Sequence, residues 1–306
     1  YGPALPHTAW GTKDENGRLD YMDLTPLPDK AFNNEWLGKI KEVVDKYHPD
    51  LIWFDNRMHV IDEPHRLDMT AHYYNQAAKR NQEVVLTYKN KDIADGAGVI
   101  DLERSRMPDI YPEPWLTDTS IARNSWSYCP RLNYYSSERL IHDLIDIVSK
   151  NGCMLLNIAQ HPDGSIPQPQ KERLLAMGTW LHTNGEAIYG ARPWKVYGEG
   201  PTQTPKGHLS DLRFDGFSAE DIRFTQTKDG SALYAFLFGL PEDDSLLIRS
   251  LTPDRGTIKS VVFLASDAPI KWQQTGAGLQ LRLLAKPTMQ HAIVLKITGD
   301  GLAVSQ

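Results

Sequence analysis

From Asn33 to Trp194 two hydrophobic patterns alternate along the chain. Residues 33–47 (NNEWLGKIKEVVDKY) space Trp36, Ile40, Val43, Val44 and Tyr47 at three- and four-residue intervals, which predicts an amphipathic helix. Directly behind it, residues 50–55 (DLIWFD) form a short apolar run that reads as a buried strand. The alternation repeats with a helix over 69–80, a strand over 84–88, a helix over 136–149, a strand over 153–158 and a helix over 170–182. Helices alternating with buried strands predict a parallel sheet or barrel. In that class reactive side chains sit at the C-terminal ends of the strands.

After Pro193-Trp194 the texture changes. Residues 222–225, 232–238, 246–248, 261–264, 279–283 and 292–297 are short β-branched or alternating runs, punctuated by Gly256, Gly276, Gly278 and Pro287. No helical periodicity competes with them. This pattern predicts an all-β sandwich, so the expected fold class is α/β, with a parallel sheet or barrel over 1–194 and a β-sandwich over 195–306. No internal repeat interrupts this division.

Length and charge narrow the picture. The chain's 306 residues suit two domains. With 33 Lys and Arg against 39 Asp and Glu, a net charge of −6 and no basic run, neither nucleic acid nor an anionic membrane is an expected partner. No apolar stretch approaches the roughly 20 residues needed to span a bilayer. The two cysteines, Cys129 and Cys153, are too few for a disulfide scaffold, and a single bridge stays open. Trp and Tyr (8 and 13) outnumber the 8 Phe; rings with a polar edge serve cores and interfaces as well as sugar binding. The opening Tyr1-Gly-Pro-Ala-Leu-Pro6 carries neither an initiator Met nor a signal-peptide pattern.

The chemistry centres on two carboxylates. Asp55 closes the run Leu51-Ile-Trp-Phe54 and is therefore expected at a strand's C-terminal end; a cap for the following turn is the competing reading. Asp50, after Pro49, reads as a turn residue. Glu103 stands in Ile100-Asp-Leu-Glu-Arg-Ser-Arg106, where Arg104 and Arg106 suggest an ion-paired surface carboxylate. Two carboxylates on different barrel loops are also what glycoside hydrolysis requires. No metal or nucleotide motif stands out. The ten His never form His-x-x-x-His on a helix, and His161 lies in a turn with Asp163 and Gly164. Asn184-Gly185-Glu186 reads as a helix C-cap and turn, the cysteines lack zinc spacing, and Gly-x-Ser-x-Gly is absent.

Residues 47–56 (YHPDLIWFDN) resemble the nucleophile-bearing strand of glycoside hydrolase family 29, the α-L-fucosidases, where Pro-Asp-x-Ile-Trp-Phe-Asp-Gly is typical. Further blocks follow in order: 148–158 (VSKNGCMLLNI), Asp163-Gly-Ser-Ile-Pro167, Glu172-Arg-Leu-Leu175, Asn184-Gly-Glu-Ala-Ile-Tyr-Gly190 and Arg192-Pro-Trp194. Together they resemble the end of that family's barrel and its exit into a β domain.

The resemblance implies the later strands of a (β/α)8-like TIM barrel followed by a β-sandwich, acting with retention and with no metal or organic cofactor. It implies Asp55 as nucleophile and Glu103 as acid/base, with Glu113, in Tyr111-Pro-Glu-Pro-Trp115, in reserve. Arg104 and Arg106 oppose the acid role, since positive charge favours the ionised carboxylate. One subgroup carries Glu directly after a Trp, whereas here Leu116 follows Trp115. Trp53, Lys89 and Trp126 are the implied substrate contacts; Lys89 stands where many relatives have Arg. Asn56 replaces the usual Gly and, like it, tolerates left-handed backbone angles.

The implied substrate is a fucosylated oligosaccharide or glycoconjugate, with α-1,3/1,4 linkages favoured, and the implied location is periplasmic or extracellular. The first barrel strands and their His-rich fucose-binding set are expected before Tyr1, some 150–200 residues judged against a barrel of ≈ 250. A second chain completing the barrel is the other expectation, and the chain by itself is not expected to fold stably. Two further readings are a non-catalytic carbohydrate-binding protein on the same scaffold and a different retaining barrel glycosidase.

Overall fold

The computed structural model describes residues 27–55, 57–90, 92–287 and 291–303. They fall into two compact units, the first ending at Asp101 and the second beginning at Leu102. Asn56 and the opening residues lie outside the described set.

In the first unit helix α1 runs Lys30–Tyr47, and Asp29 caps it by accepting from Phe32 N at 2.8 Å. His48 ends it in a left-handed conformation (φ 49°), and Pro49 cannot continue the helix. Strand β1 (Leu51–Trp53) pairs in parallel with β2 (Val85–Tyr88), and β2 with β3 (Val99–Asp101). Between β1 and β2 comes α2 (Glu63–Lys79), with Pro64 in its first turn. Val44, Met69, Tyr73 and Leu86 form the core, with Trp36, Ile40, Ile52 and Phe54 packed on it. β1 departs from the expected buried strand: Ile52 and Phe54 point to this core, while Leu51 and Trp53 are 51% and 37% exposed. The period-2 pleat sends alternate side chains outward.

In the second unit β4 (Trp115–Ser120) pairs in parallel with β5 (Gly152–Asn157). Helix α3 (Ser137–Ser149) connects them, capped by Ser136 accepting from Arg139 N at 3.0 Å. Helix α4 (Gln168–Asn184) follows, and Gly185 closes it before a 3-10 turn. The remaining strands are β6 (Ala191–Glu199), β7 (Ile222–Thr227), β8 (Leu233–Leu237), β9 (Ser245–Ile248), β10 (Thr257–Phe263), β11 (Ile270–Thr275), β12 (Gly278–Leu283) and β13 (Ile293–Asp300). They make two antiparallel sheets, β10-β13-β8-β7-β6 and β11-β12-β9. One core, with Phe224, Leu237, Ile248, Leu281 and Leu295, joins the two sheets. On the larger sheet's other face Tyr234, Phe236 and Val294 pack against Ile141, Ile145 and Trp180 of α3 and α4. β6 already belongs to the antiparallel sheet at Ala191, so it runs across the position where the sequence texture changes.

A buried ion cluster fastens these elements. Asp146 of α3 receives Arg223 Nε at 2.7 Å, Lys150 Nζ at 2.9 Å and Arg106 Nη1 at 3.4 Å. Arg106 also reaches Asp143 (2.9 Å) and Asp211 (2.6 Å). Burial opposes ionisation of Asp146, but the charges of Lys150, Arg223 and Arg106 outweigh it and hold the carboxyl at about 2. Cys129 and Cys153 are free thiols, so no bridge joins them.

Candidate active site

In the first unit the C-terminal strand ends gather a connected set of side chains. Asp55 stands two residues past β1, where Phe54 N still donates to Thr87 O (3.2 Å). Lys89 follows β2 directly, and Asp101 is the last residue of β3. Lys89 Nζ lies 3.4 Å from Asp55 Oδ1 and 3.7 Å from Asp101 Oδ2. Trp53 Nε1 donates to Asp101 Oδ2 at 2.8 Å, and the Lys89 ammonium stands 5.4 Å from the Trp53 ring centroid. Burial separates their roles. Lys89 and Asp101 are enclosed, whereas the Asp55 side chain is 66% exposed. The buried ammonium balances both carboxylates, and Asp55 is the carboxylate a solute can reach.

Three expected residues, Trp53, Asp55 and Lys89, thus come together around a fourth. Asp101 is not among the residues the sequence singles out, although Val99-Ile-Asp101 repeats, in shorter form, the apolar run closed by Asp55. Near these strand ends His59 Nδ1 lies 3.0 Å from Oδ1 of the buried Asp92.

In the second unit Glu103 is half-buried in a tightly held turn. Leu102 N donates to Leu116 O (2.9 Å), Arg104 N to Asp118 O (2.8 Å) and Leu209 N to Glu103 O (3.2 Å). Thr117 Oγ1 donates to the carbonyls of Leu102 and Ser105 at 2.7 and 2.8 Å. Arg104 itself adopts φ 43°, a left-handed conformation that costs a non-glycine residue about 1–2 kcal/mol. Its guanidinium donates from Nη2 to Ala122 O at 3.0 Å and stacks 4.1 Å from the Trp126 ring centroid. Trp126 is anchored in turn, its carbonyl accepting from Asn157 Nδ2 at 2.8 Å.

The arginines that flank Glu103 do not lie on the surface as expected. Both guanidiniums are buried, because Arg106 serves three aspartates and Arg104 serves Ala122 and Trp126. Glu113 is exposed ahead of β4, at the N-terminal end of the β4–β5 pair. The structure does not bring it to the strand ends where Ser120 and Asn157 lie. Its neighbour Trp115 is fully buried, donating from Nε1 to Lys150 O at 2.9 Å. Among the described residues no three His, Cys, Asp or Glu side chains gather as a metal site.

Carboxylates at the C-terminal ends of parallel strands, as Asp55 and Asp101 stand in the first unit, occupy the position of reactive groups in α/β folds of the barrel type. Residues 7–186 match the alpha-L-fucosidase family model, and residues 215–298 match the alpha-L-fucosidase C-terminal domain. The chain belongs to the alpha-L-fucosidase family. Bovine (Bos taurus) tissue alpha-L-fucosidase is 29% identical over 280 residues, covering 87% of this chain and 55% of the relative. The fold is similar to that of Thermotoga maritima alpha-fucosidase, with a TM-score of 0.70 at 24% identity over 88% of this chain and 57% of that one. It is also similar to alpha-L-fucosidase isoenzyme 1 from Paenibacillus thiaminolyticus, with a TM-score of 0.67 at 20% identity over 92% and 66%. The chain thus spans little more than half the length of the bovine relative and of the Thermotoga maritima structure it matches.

Proposed function

We propose that the protein is a retaining α-L-fucosidase that releases terminal α-linked L-fucose from glycans, with α-1,3/1,4 linkages preferred. The observation that carries this reading is the exposed Asp55 carboxylate, braced by buried Lys89 at a strand's C-terminal end, in a chain of this family. Asp55 attacks the anomeric carbon and forms a glycosyl-enzyme, while Glu103 protonates the departing oxygen. Glu103 then deprotonates the water that resolves the intermediate. Trp53, Lys89 and Trp126 contact the sugar. The catalytic domain occupies 1–194 and a β-sandwich 195–306. The working location is periplasmic or extracellular, where fucosylated glycoconjugates are displayed.

Chemical rescue tests this assignment. Asp55→Gly in the intact protein should lose turnover of an aryl α-L-fucoside, and added azide should restore it as the fucosyl azide. Wild-type turnover by the Gly variant rejects Asp55 as nucleophile. Fucose binding by wild-type protein that turns over no fucoside would establish a binding protein in place of an enzyme.

A further inference from the structure

The smaller antiparallel sheet, β11-β12-β9, has a core side and a solvent side. Trp272, Leu281 and Leu246, paired across its three strands, pack into the core between the sheets. The period-2 pleat therefore turns the rows on either side of them outward. Lys271, Arg282 and Ser245 make one outward row, and Gln273, Gln280 and Leu247 make the other. Between the rows the surface dips into an open depression of about 480 Å³.

Lys271 and Arg282 stand directly opposite each other, and like charges placed so, with Cβ atoms roughly 5 Å apart, repel. Nothing offsets the repulsion. Among the described residues neither head forms an ion pair or a hydrogen bond, and no carboxylate lines the depression. The acids just before β9 are committed elsewhere: Asp243 Oδ1 accepts from Ser245 N at 3.2 Å, and Asp244 Oδ1 lies 3.1 Å from Lys286 Nζ. A chain with a net charge of −6 thus holds two adjacent cations uncompensated on one sheet face.

Two neighbouring cationic heads can converge on one oxyanion. A guanidinium fork takes two oxygens side by side and an ammonium takes a third; a sulfate ester offers three terminal oxygens, a carboxylate only two. In the adjoining row the carboxamides of Gln273 and Gln280 both donate and accept, as sugar hydroxyls require. Of the outward positions in the two rows only Leu247 is apolar, so the face lacks the aromatic anchors on which protein interfaces depend. We propose that this face binds a sulfated oligosaccharide, with its sulfate ester between Lys271 and Arg282 and its hydroxyls on Gln273 and Gln280. The site is non-catalytic, and its existence does not depend on the roles of Asp55 and Glu103.

Calorimetry of the intact protein with dextran sulfate, with unsulfated dextran and with hyaluronan, whose charges are carboxylates alone, tests the proposal. Dextran sulfate should bind, hyaluronan should bind roughly tenfold more weakly or less, and dextran should not bind. Lys271→Ala and Arg282→Ala should each weaken dextran sulfate binding about tenfold, the loss of one hydrogen-bonded charge. Lys271→Glu places opposite charges across the strands, so it should abolish binding while raising Tm by roughly 1–2 °C. That rise separates lost binding from lost folding. Wild-type protein that ignores dextran sulfate, or binds it no better than hyaluronan, overturns the proposal. Dextran sulfate binding that is unchanged in Lys271→Glu overturns it as well, since the polyanion then sits on another surface.

Discussion

Replacing Asp146 by Asn removes one negative charge from a site where nothing else can take its place. The carboxylate is fully buried and receives Arg223 at 2.7 Å, Lys150 at 2.9 Å and Arg106 at 3.4 Å. A carboxyl that ordinarily titrates near 3.8 is held at about 2, because these cations outweigh the opposing effect of burial. That gap, at about 1.36 kcal/mol per pH unit, corresponds to about 2.4 kcal/mol between the charged and neutral forms. Asn also leaves three cations facing only Asp143, Asp211 and Asp221. Breaking a buried pair from one side costs about 3–5 kcal/mol, so about 4 kcal/mol is the expected loss. With an unfolding entropy of about 2.1 cal/mol/K per residue over roughly 200 residues, Tm falls by about 9 °C. Urea unfolding and calorimetry of the two proteins measure the loss directly. Adding Lys150→Met to Asp146→Asn removes one stranded charge, so the double variant should be more stable than the sum of the singles. Because the native carboxyl is depressed, its contribution is complete above pH 4 and fades as pH falls from about 4 towards 2. The stability difference between wild type and Asp146→Asn should shrink over that window. A loss below about 1 kcal/mol at neutral pH, or strict additivity in the double variant, refutes the reasoning.

Two further substitutions separate backbone from side chain and ring from hydrogen bond. Arg104→Gly and Arg104→Ala both delete the guanidinium, but only Gly fits φ 43° without strain. Denaturant unfolding should therefore find the Ala variant about 1 kcal/mol less stable than the Gly variant, and the reverse order would contradict this. Trp53→Phe keeps an aromatic ring and removes the Nε1–H that holds Asp101; a hydrogen bond to a charged group predicts a loss of about 1.5 kcal/mol. Unchanged stability would mean that Asp101 does not depend on it.

The helices were legible because their signals are local. Trp36, Ile40 and Val44 repeat at helical spacing, and the Ser136 cap follows a general rule. β4 was not legible, since residues 115–120 (WLTDTS) read as polar until the Thr117 hydroxyl finds the carbonyls of Leu102 and Ser105. β6 was hidden by Pro193, which a central strand excludes, and by the irregular register between Pro193 and Gly198. At the site, Asp55 was visible as an acid closing an apolar run. Asp101 closes an apolar run of only two residues, Val99-Ile100, too short to stand out beside the four that precede Asp55. The burial of the arginines flanking Glu103 was not legible, because sequence adjacency gives no direction. Arg106 turns to aspartates 37, 40 and 105 positions away.

The central claim is that Asp55 carries fucose covalently during turnover. Incubating the intact protein with a 2-deoxy-2-fluoro-L-fucosyl fluoride and mapping its peptides by mass spectrometry tests this directly. The account predicts a single fluorofucosyl adduct, on the peptide containing Asp55, with activity lost in proportion to labelling. An adduct on another carboxylate, or full labelling of Asp55 with undiminished turnover of an aryl fucoside, would contradict it.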